Sequence, residues 1–370
     1  DEKIKFFTSL NYLSQSGITK SDCLSYDRYN YRSNVSAHFD KIGLTMGINV
    51  NGTLTDEDYP NASAYTIYSR LKDRNPFERP YNEDGTISNQ FDNPALILDS
   101  PGEIVLRTVY NQLAVNLKWD LPWVKGLSIG MDGNYNIESQ DRKDWIEKAP
   151  YYDADGNVTL QDPADISMSR SSYQNHRYDF NVRIDYKNTF AEKHNVQATL
   201  VHNRQYYHGN NLSAGSNTFY TTAIQQIQKG DASSITASNG EGEQASMGYV
   251  GRLRYDYDNR YMVEFSGRYD GSDCFPKDNR FGFFPSVSAG WALSEENFFT
   301  PIKELGIFDY FKLRGSYGEI GINGAKHDDY AYMSTYNYNS NAYVIDGKLV
   351  NSITPGATPS INMTWYTRKK

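Results

Sequence analysis

Long stretches of this 370-residue chain alternate between apolar and polar side chains with a period of two. Tyr178, Phe180, Val182, Ile184 and Tyr186 alternate with Arg177, Asp179, Asn181, Arg183, Asp185 and Lys187. Leu127, Ile129, Met131, Gly133, Tyr135 and Ile137 do the same against Ser128, Gly130, Asp132, Asn134, Asn136 and Glu138. The runs starting at Ile42, Tyr249, Tyr261 and Phe283 repeat the pattern. Side chains on a strand point alternately to opposite faces, so each run has one apolar, largely aromatic face and one wet face. Several runs last roughly 9 to 14 residues, against about 5 or 6 for an ordinary strand and about 9–11 for a tilted strand that crosses a bilayer. Strands of this length and polarity suit a wall between lipid and an aqueous lumen.

Composition supports a wall over a packed core. Only 38% of residues are hydrophobic, 31 are Tyr, and mean hydropathy is −0.70. A soluble domain of this size is expected to carry more Leu, Ile and Val. No apolar run reaches the length of a transmembrane helix, which leaves a β-barrel open. The net charge of −8 and the absence of a basic stripe argue against a nucleic-acid partner. Cys23 and Cys274 form neither a disulfide framework nor a zinc site.

The links between runs alternate in length. Ser14–Ser25, Asp56–Leu106, Gln140–Ser171, Tyr207–Ser246, Gly271–Phe281 and Glu319–Asn362 read as long loops. Asp40-Lys41, Asp120–Gly126, Asn188–His194 and Asp258–Arg260 read as short turns, and Glu295–Asp309 as a link with a short helix. Sorting of long and short connections to opposite sides is expected of antiparallel strands that cross a membrane. The pattern predicts an all-β, antiparallel up-and-down partial barrel of about eleven strands, which cannot close by itself.

Five stretches taken in order resemble the SusC/RagA-type TonB-dependent outer-membrane transporters. They are Phe6–Tyr12 with Gly17-Ile18, Tyr26–Asn34, Arg268–Ser272 with Phe275-Pro276 and Gly282–Trp291, Leu313–Gly318 with Gly321 and Asn323, and Asn362–Trp365. Tyr366, where the family usually has Glu, and Cys274, where a small or basic residue is more common, depart from the pattern. The resemblance implies that residues 1–370 are part of a barrel domain without its plug, cut from a longer chain. It implies import of an oligosaccharide or peptide across the bacterial outer membrane. The implied partners are a SusD-like surface lipoprotein and, through the plug, TonB. The rival readings are a secreted or surface-attached β-rich binding protein and an all-β carbohydrate-active enzyme.

No catalytic, metal or cofactor constellation emerges from the residues. His202 and His208 are only loosely spaced, and Asp153-Ala-Asp-Gly156 lacks the bidentate acid of a calcium loop, so a plain Asp-Gly turn is favoured. The acid pairs Glu295/Glu296 and Asp328/Asp329 are adjacent and point apart on extended backbone. The segment Tyr330–Tyr343 stands out, because Tyr offers ring faces and Asn offers amides suited to a sugar or peptide. Its candidate binding residues are Tyr336, Tyr338, Asn339, Asn341 and Tyr343. Trp119, Trp123, Trp291 and Trp365 are expected in the aromatic girdles at the membrane interfaces.

Overall fold

A computed structural model of the chain describes residues 3–17, 24–60, 64–90, 93–99, 102–162, 165–306, 308–323 and 329–370. Ile18, Cys23, His327 and Asp328 lie outside the described residues. In chain order the strands are β1 (Ile4–Ser16), β2 (Ser25–Phe39), β3 (Leu44–Pro60), β4 (Glu103–Asp120), β5 (Leu127–Ile146), β6 (Ala149–Tyr152), β7 (Val158–Asp162) and β8 (Ser167–Phe190). There follow β9 (His194–Ser216), β10 (Ile235–Tyr257), β11 (Tyr261–Ser272), β12 (Phe281–Ala292), β13 (Lys312–Ile322), β14 (Tyr336–Ile345), β15 (Lys348–Pro355) and β16 (Tyr366–Lys369). Helices α1 (Ala64–Lys72) and α2 (Pro94–Asp99) lie between β3 and β4, and α3 (Thr300–Glu304) precedes β13.

Twelve strands form one sheet in the order β1-β2-β3-β4-β5-β8-β9-β10-β11-β12-β13-β16. Every neighbouring pair is antiparallel. The twelfth strand is the four-residue β16, too short to show a period of two. Among the described residues β1 and β16 do not pair, so the sheet is an open, partial barrel wall. No described helix is long and apolar enough to cross a membrane.

Register keeps the apolar side chains on one face from strand to strand. Met131 pairs with Val182, and Val182 with His202. Leu253 pairs with Phe265, Phe265 with Val287 and Val287 with Tyr317. A one-residue slip would turn each of these to the polar face. The apolar face has no covering layer: Phe6 is 82% exposed, Leu200 60% and Phe283 62%. Trp119, Trp123 and Trp291 lie exposed at its short-turn margin, as expected of a girdle.

The turns on that side are tight for local reasons. Ala191-Glu192 and Asp258-Asn259 both take positive φ, in three-residue links closed by Lys193 N–H to Phe190 O at 3.2 Å and Arg260 N–H to Tyr257 O at 2.9 Å. Gly126 has φ +84, and a Cβ there would lie 2.0 Å from the Lys187 carbonyl oxygen.

The ladders reach further into the long loops than the side-chain pattern predicts. β3 continues to Pro60, β5 to Ile146, β9 to Ser216, and β10 already begins at Ile235. Gly209 pairs with Gly242 and Leu212 with Asn239, well within the expected Tyr207–Ser246 loop. Backbone pairing does not need apolar alternation, so the sequence signal fades before the hydrogen bonds do. At these outer ends the formerly apolar face is covered again. Trp145, 0% exposed, packs with Met168 under Phe219, whose ring lies 5.0 Å away at 79°.

Four arginines of the polar face pair with an acid two residues along their own strand. Arg142 pairs with Asp144 at 2.8 Å, Arg177 with Asp179 at 3.3 Å, Arg183 with Asp185 at 2.6 Å and Arg268 with Asp270 at 2.9 Å. Asn203 donates to Asn181 at 2.6 Å, so this face carries amide contacts as well.

The facing predicts an asymmetry in membrane insertion. Val182→Arg places a charge on the apolar face, at a cost of about 2–4 kcal/mol near the bilayer midplane. Asn181→Arg loses a hydrogen bond on the wet face, worth about 1 kcal/mol. In the full-length parent, insertion into liposomes, read by heat-modifiable gel migration, should fall much more for Val182→Arg. Equal losses would contradict the assignment of faces.

Candidate functional site

At the long-loop end of β10 to β13 the polar face carries a small hydrophobic core. Phe284 on β12 belongs by parity to the face of Ser286, Ser288 and Gly290, yet it is only 6% exposed. Cys274 and Phe275, from the β11–β12 loop, and Met363, just before β16, are also buried. Trp365 closes the group, 5.3 Å from the Phe275 ring and 5.4 Å from the Phe284 ring at 65°. Aromatic pairs in such arrangements add about 0.5–1.5 kcal/mol each beyond burial. Gly321 on β13 makes room, because a Cβ there would sit 2.0 Å from Phe284.

Hydrogen bonds tie the chain on either side of β14–β15 to this core. Trp365 Nε1 donates to the Arg280 carbonyl at 3.0 Å. Tyr332 donates to the Asp273 carbonyl at 3.2 Å, and Tyr330 to the Glu243 carbonyl at 2.6 Å. Burial first, and then the Asp273 carboxyl, push the Tyr330 hydroxyl above its usual range, so it remains a donor. Gly356 N–H donates to Thr335 O at 2.8 Å and Ser360 N–H to Ala331 O at 2.8 Å, closing the neck of the excursion.

Beyond the neck the expected loop is a β-hairpin. β14 pairs with β15 through a turn at Asp346 (φ 50) and Gly347 (φ 75). The Asp-Gly dipeptide flanked by Tyr343-Val-Ile345 and Leu349-Val350 is the sequence signal that could have revealed it. A register shift lies between Asn339 and Tyr343. Following the pairs through it puts Tyr336, Tyr338, Val344, Leu349 and Ile353 on one face and Asn339, Tyr343, Ile345 and Val350 on the other.

The candidate residues therefore do not form one cluster. Tyr336 (70% exposed) and Tyr338 (65%) stand on the more apolar face, where Asn351 Nδ2 donates to the Tyr338 hydroxyl. Asn339 donates to Thr354 at 2.9 Å on the other face, which also carries Tyr343. The Asn341 side chain lies outside the described residues. Sequence reasoning missed Val344, Leu349 and Ile353, which complete the apolar face.

Trp365 is a correction. It belongs to the core on the polar face and not to a lipid-facing girdle. Tyr366 is the first residue of β16, the strand this core leads into.

The other candidates resolve into ordinary structure. His202 stacks on Tyr249 at 4.7 Å, whereas His208 meets Glu241 at 2.8 Å. Asp153 accepts from the Asn157 and Asp155 backbone N–H groups at 2.8 and 3.0 Å. These bonds, that from Asn157 foremost, hold its carboxyl below the usual range and make it the stop of its own turn. Glu296 takes Tyr261 and Trp291, while Glu295 takes Lys303. Among the described residues no group of acids, His and Cys could hold a metal ion.

Residues 10–358 match the family described as TonB dependent receptor-like, beta-barrel. The chain belongs to this family. It is 25% identical over 391 aligned positions to TonB-dependent receptor P26 of Formosa agariphila, covering 99% of this chain and 36% of that protein. It is 44% identical over 92 residues to TonB-dependent receptor SusC of Bacteroides thetaiotaomicron, covering 25% of this chain and 9% of that protein. The RagAB peptide importer in its "closed-closed" state shares the fold, with a TM-score of 0.75 at 19% identity over all of this chain and 40% of that one. The "open-open" state gives 0.76. The chain thus spans about a third of the length of the first of these relatives. The SusC/RagA-type resemblance and the partial barrel read from the sequence agree with these matches. Family and fold both imply the outer membrane.

The core explains why the family-like stretches at Arg268–Trp291, Leu313–Asn323 and Asn362–Trp365 occur together: they pack on one another. Removal of the Phe284 ring should cost about 3–5 kcal/mol of local stability. Phe284→Ala in the full-length parent should expose residues 329–361 to limited proteolysis while the heat-modifiable band persists. Gly321→Val should act in the same direction through steric conflict. Unchanged protease resistance in both would remove the core as the anchor of the hairpin.

Proposed function

We propose that the chain is part of the barrel wall of an outer-membrane, TonB-dependent importer of a bulky nutrient, an oligosaccharide or a peptide. The carrying observation is the pair of faces on one twelve-stranded sheet. One is apolar and uncovered, and the other is polar and internally charge-paired. Water on both sides would leave the first face without a solvent, and lipid on both sides would do the same to the second. A lumen enclosed by such strands is wide enough for cargo in barrels of roughly 22 strands, and this chain supplies about half of them.

The hairpin is the proposed meeting point with cargo and with a SusD-like surface lipoprotein. An isolated two-stranded hairpin is marginal in water, so its exposed apolar face calls for a partner surface. The other face offers Asn339 and Tyr343 for amide and ring contact. Its anchored neck holds it at the long-loop end, where cargo enters. Energy coupling through TonB would involve parts of the parent protein beyond these residues. Support for transport over catalysis comes from the relatives, which are named as receptors and an importer.

The test exploits the closed neck. Deletion of 336–355 from the full-length parent, with Thr335 rejoined to Gly356 through a short linker, leaves the anchor in place. Growth on the cognate nutrient and co-purification of the lipoprotein should both fall, with barrel migration unchanged. Retention of both would take the hairpin out of the import path.

A further inference from the structure

The apolar face of the sheet is not evenly lined. Gly251 on β10 lies directly opposite Gly267 on β11, and the same row continues to Leu200 on β9 and Pro285 on β12. Both glycines share the parity of Leu253 and Phe265, so at two adjacent positions this face is bare backbone. The result is a trench. One hollow of about 540 Å³ runs from Leu200 and Gly251 outward to His202, Tyr249 and Tyr269. A second, of about 640 Å³, shares Leu200, Gly251, Gly267 and Phe283 with the first and runs inward to Leu253, Phe265 and Val287. A Cβ on Gly267 would lie 2.9 Å from the Phe283 ring, whereas one on Gly251 would meet only Leu200, at 3.6 Å. Glycine inside a strand weakens it, and it marks places where a ligand or another backbone comes close.

A cation stands at the outward end of the trench. Within the described sheet, Arg107, Lys143, Arg170, Arg204 and Lys369 share the parity of the apolar side. Arg107 meets Asp56 at 3.4 Å, Lys143 meets Glu103 at 2.6 Å and Lys369 meets Glu319 at 3.3 Å. Arg170 stands opposite Ala214, far outward of Arg204 on the β9 ladder. Arg204 follows His202 on the same side of β9, is exposed, and is flanked by Phe180 and Met247. Among the described residues its side chain has no ion pair and no hydrogen bond. The acids further out are Glu243, opposite His208, and Glu241, which His208 meets at 2.8 Å.

Depth follows from the ladder. β9 begins at His194 on the short-turn side. At about 3.3 Å per residue and a tilt of about 45°, the climb from His194 to Arg204 is roughly 23 Å. That is close to the top of an apolar band about 25 Å tall. Tyr178 and Tyr206, stacked at 5.1 Å one position further out, mark the same margin. A charge costs little at this depth, and arginine grips phosphate oxygens through paired N–H donors.

We propose that the trench and Arg204 together bind one phosphate-bearing lipid of the leaflet on the long-loop side. An acyl chain lies along Gly251 and Gly267, and the phosphate meets Arg204. Bulk water would satisfy Arg204 alone, but the bare apolar trench directly beneath it matches the other end of a lipid. A second copy of this face is a poorer occupant, because its acids Asp56, Glu103, Glu241 and Glu319 are already paired. The proposal rests on the barrel-wall part of the reading above.

The test uses the full-length parent, purified in detergent and read by native mass spectrometry. The probes are phosphatidic acid, diacylglycerol with the same acyl chains, and inorganic phosphate. Wild type should retain one phosphatidic acid, severalfold in preference to diacylglycerol, and inorganic phosphate at equal concentration should not displace it. Arg204→Gln should lose that preference, and Arg170→Gln should keep it. Gly251→Leu, which fills the floor where only Leu200 is near, should lose retention of both lipids. Heat-modifiable migration checks the fold of each variant, and if Gly251→Leu does not assemble, Arg204→Gln decides. An equal preference in wild type and Arg204→Gln overturns the site, as does its loss in Arg170→Gln. Displacement by inorganic phosphate shows an anion site without a lipid and overturns it as well. A wild-type dimer without bound lipid that separates in Arg204→Gln assigns the trench to a second copy, which also overturns it. A wild type with no heat-modifiable band defeats the barrel-wall reading itself and is recognised because it needs no substitution.

Discussion

Backbone pairing is the constraint on which the rest of this structure depends. A strand exposed to hydrocarbon cannot leave an N–H or C=O unpaired, because no water is present to satisfy it. The response here is a ladder that runs through twelve strands without a crossover. Once the ladder fixes the backbone, side chains have only two directions, and the sequence must supply two solvents' worth of chemistry in strict alternation. The same constraint makes the outer edges of this sheet incomplete as they stand. Among the described residues β1 and β16 each pair along one side alone.

The anchor core shows how the alternation is broken to advantage. Phe284 occupies a polar-face position, but Trp365 packs on its ring and on that of Phe275, so it is buried and not wet. Apolar burial at the mouth of a lumen converts a long excursion into a fixed support. The hairpin beyond it is then carried on a closed neck, formed by the Thr335–Gly356 and Ala331–Ser360 bonds, and not on a slack loop. Geometry of this kind allows a partner surface to be presented at low entropic cost.

The wall was legible in the sequence because its signal is redundant. Val182 or Phe265 alone means little, but a period of two sustained through several runs and separated by sorted turns admits few folds. The short turns at Asp40-Lys41 and Asp258–Arg260 were equally readable. Strand ends were not, since beyond the girdle both faces meet water and alternation no longer has a cause. The segment from Tyr207 to Ser216 therefore reads as loop although it is paired throughout. Trp365 was misplaced for a related reason. A Trp near a strand end fits a girdle, and only the fold brings Phe275 and Phe284 to it from about ninety and eighty residues away. The candidate Tyr and Asn residues were found as a composition, but their division between two faces depends on a register shift that composition does not encode.

The charge pattern of the polar face follows from what a conduit must avoid. Residues two apart on a strand lie roughly 6.7 Å apart on the same side, within reach of an Arg side chain. Arg-x-Asp therefore closes an ion pair without involving a neighbouring strand, as at Arg177–Asp179 and Arg268–Asp270. Each such exposed pair adds little stability, about 0–1 kcal/mol. Its effect is on the field: a wall of neutralised pairs stays hydrated without attracting passing anions or cations. The neutral stretches on β5, β8 and β11 thus come from a single spacing rule.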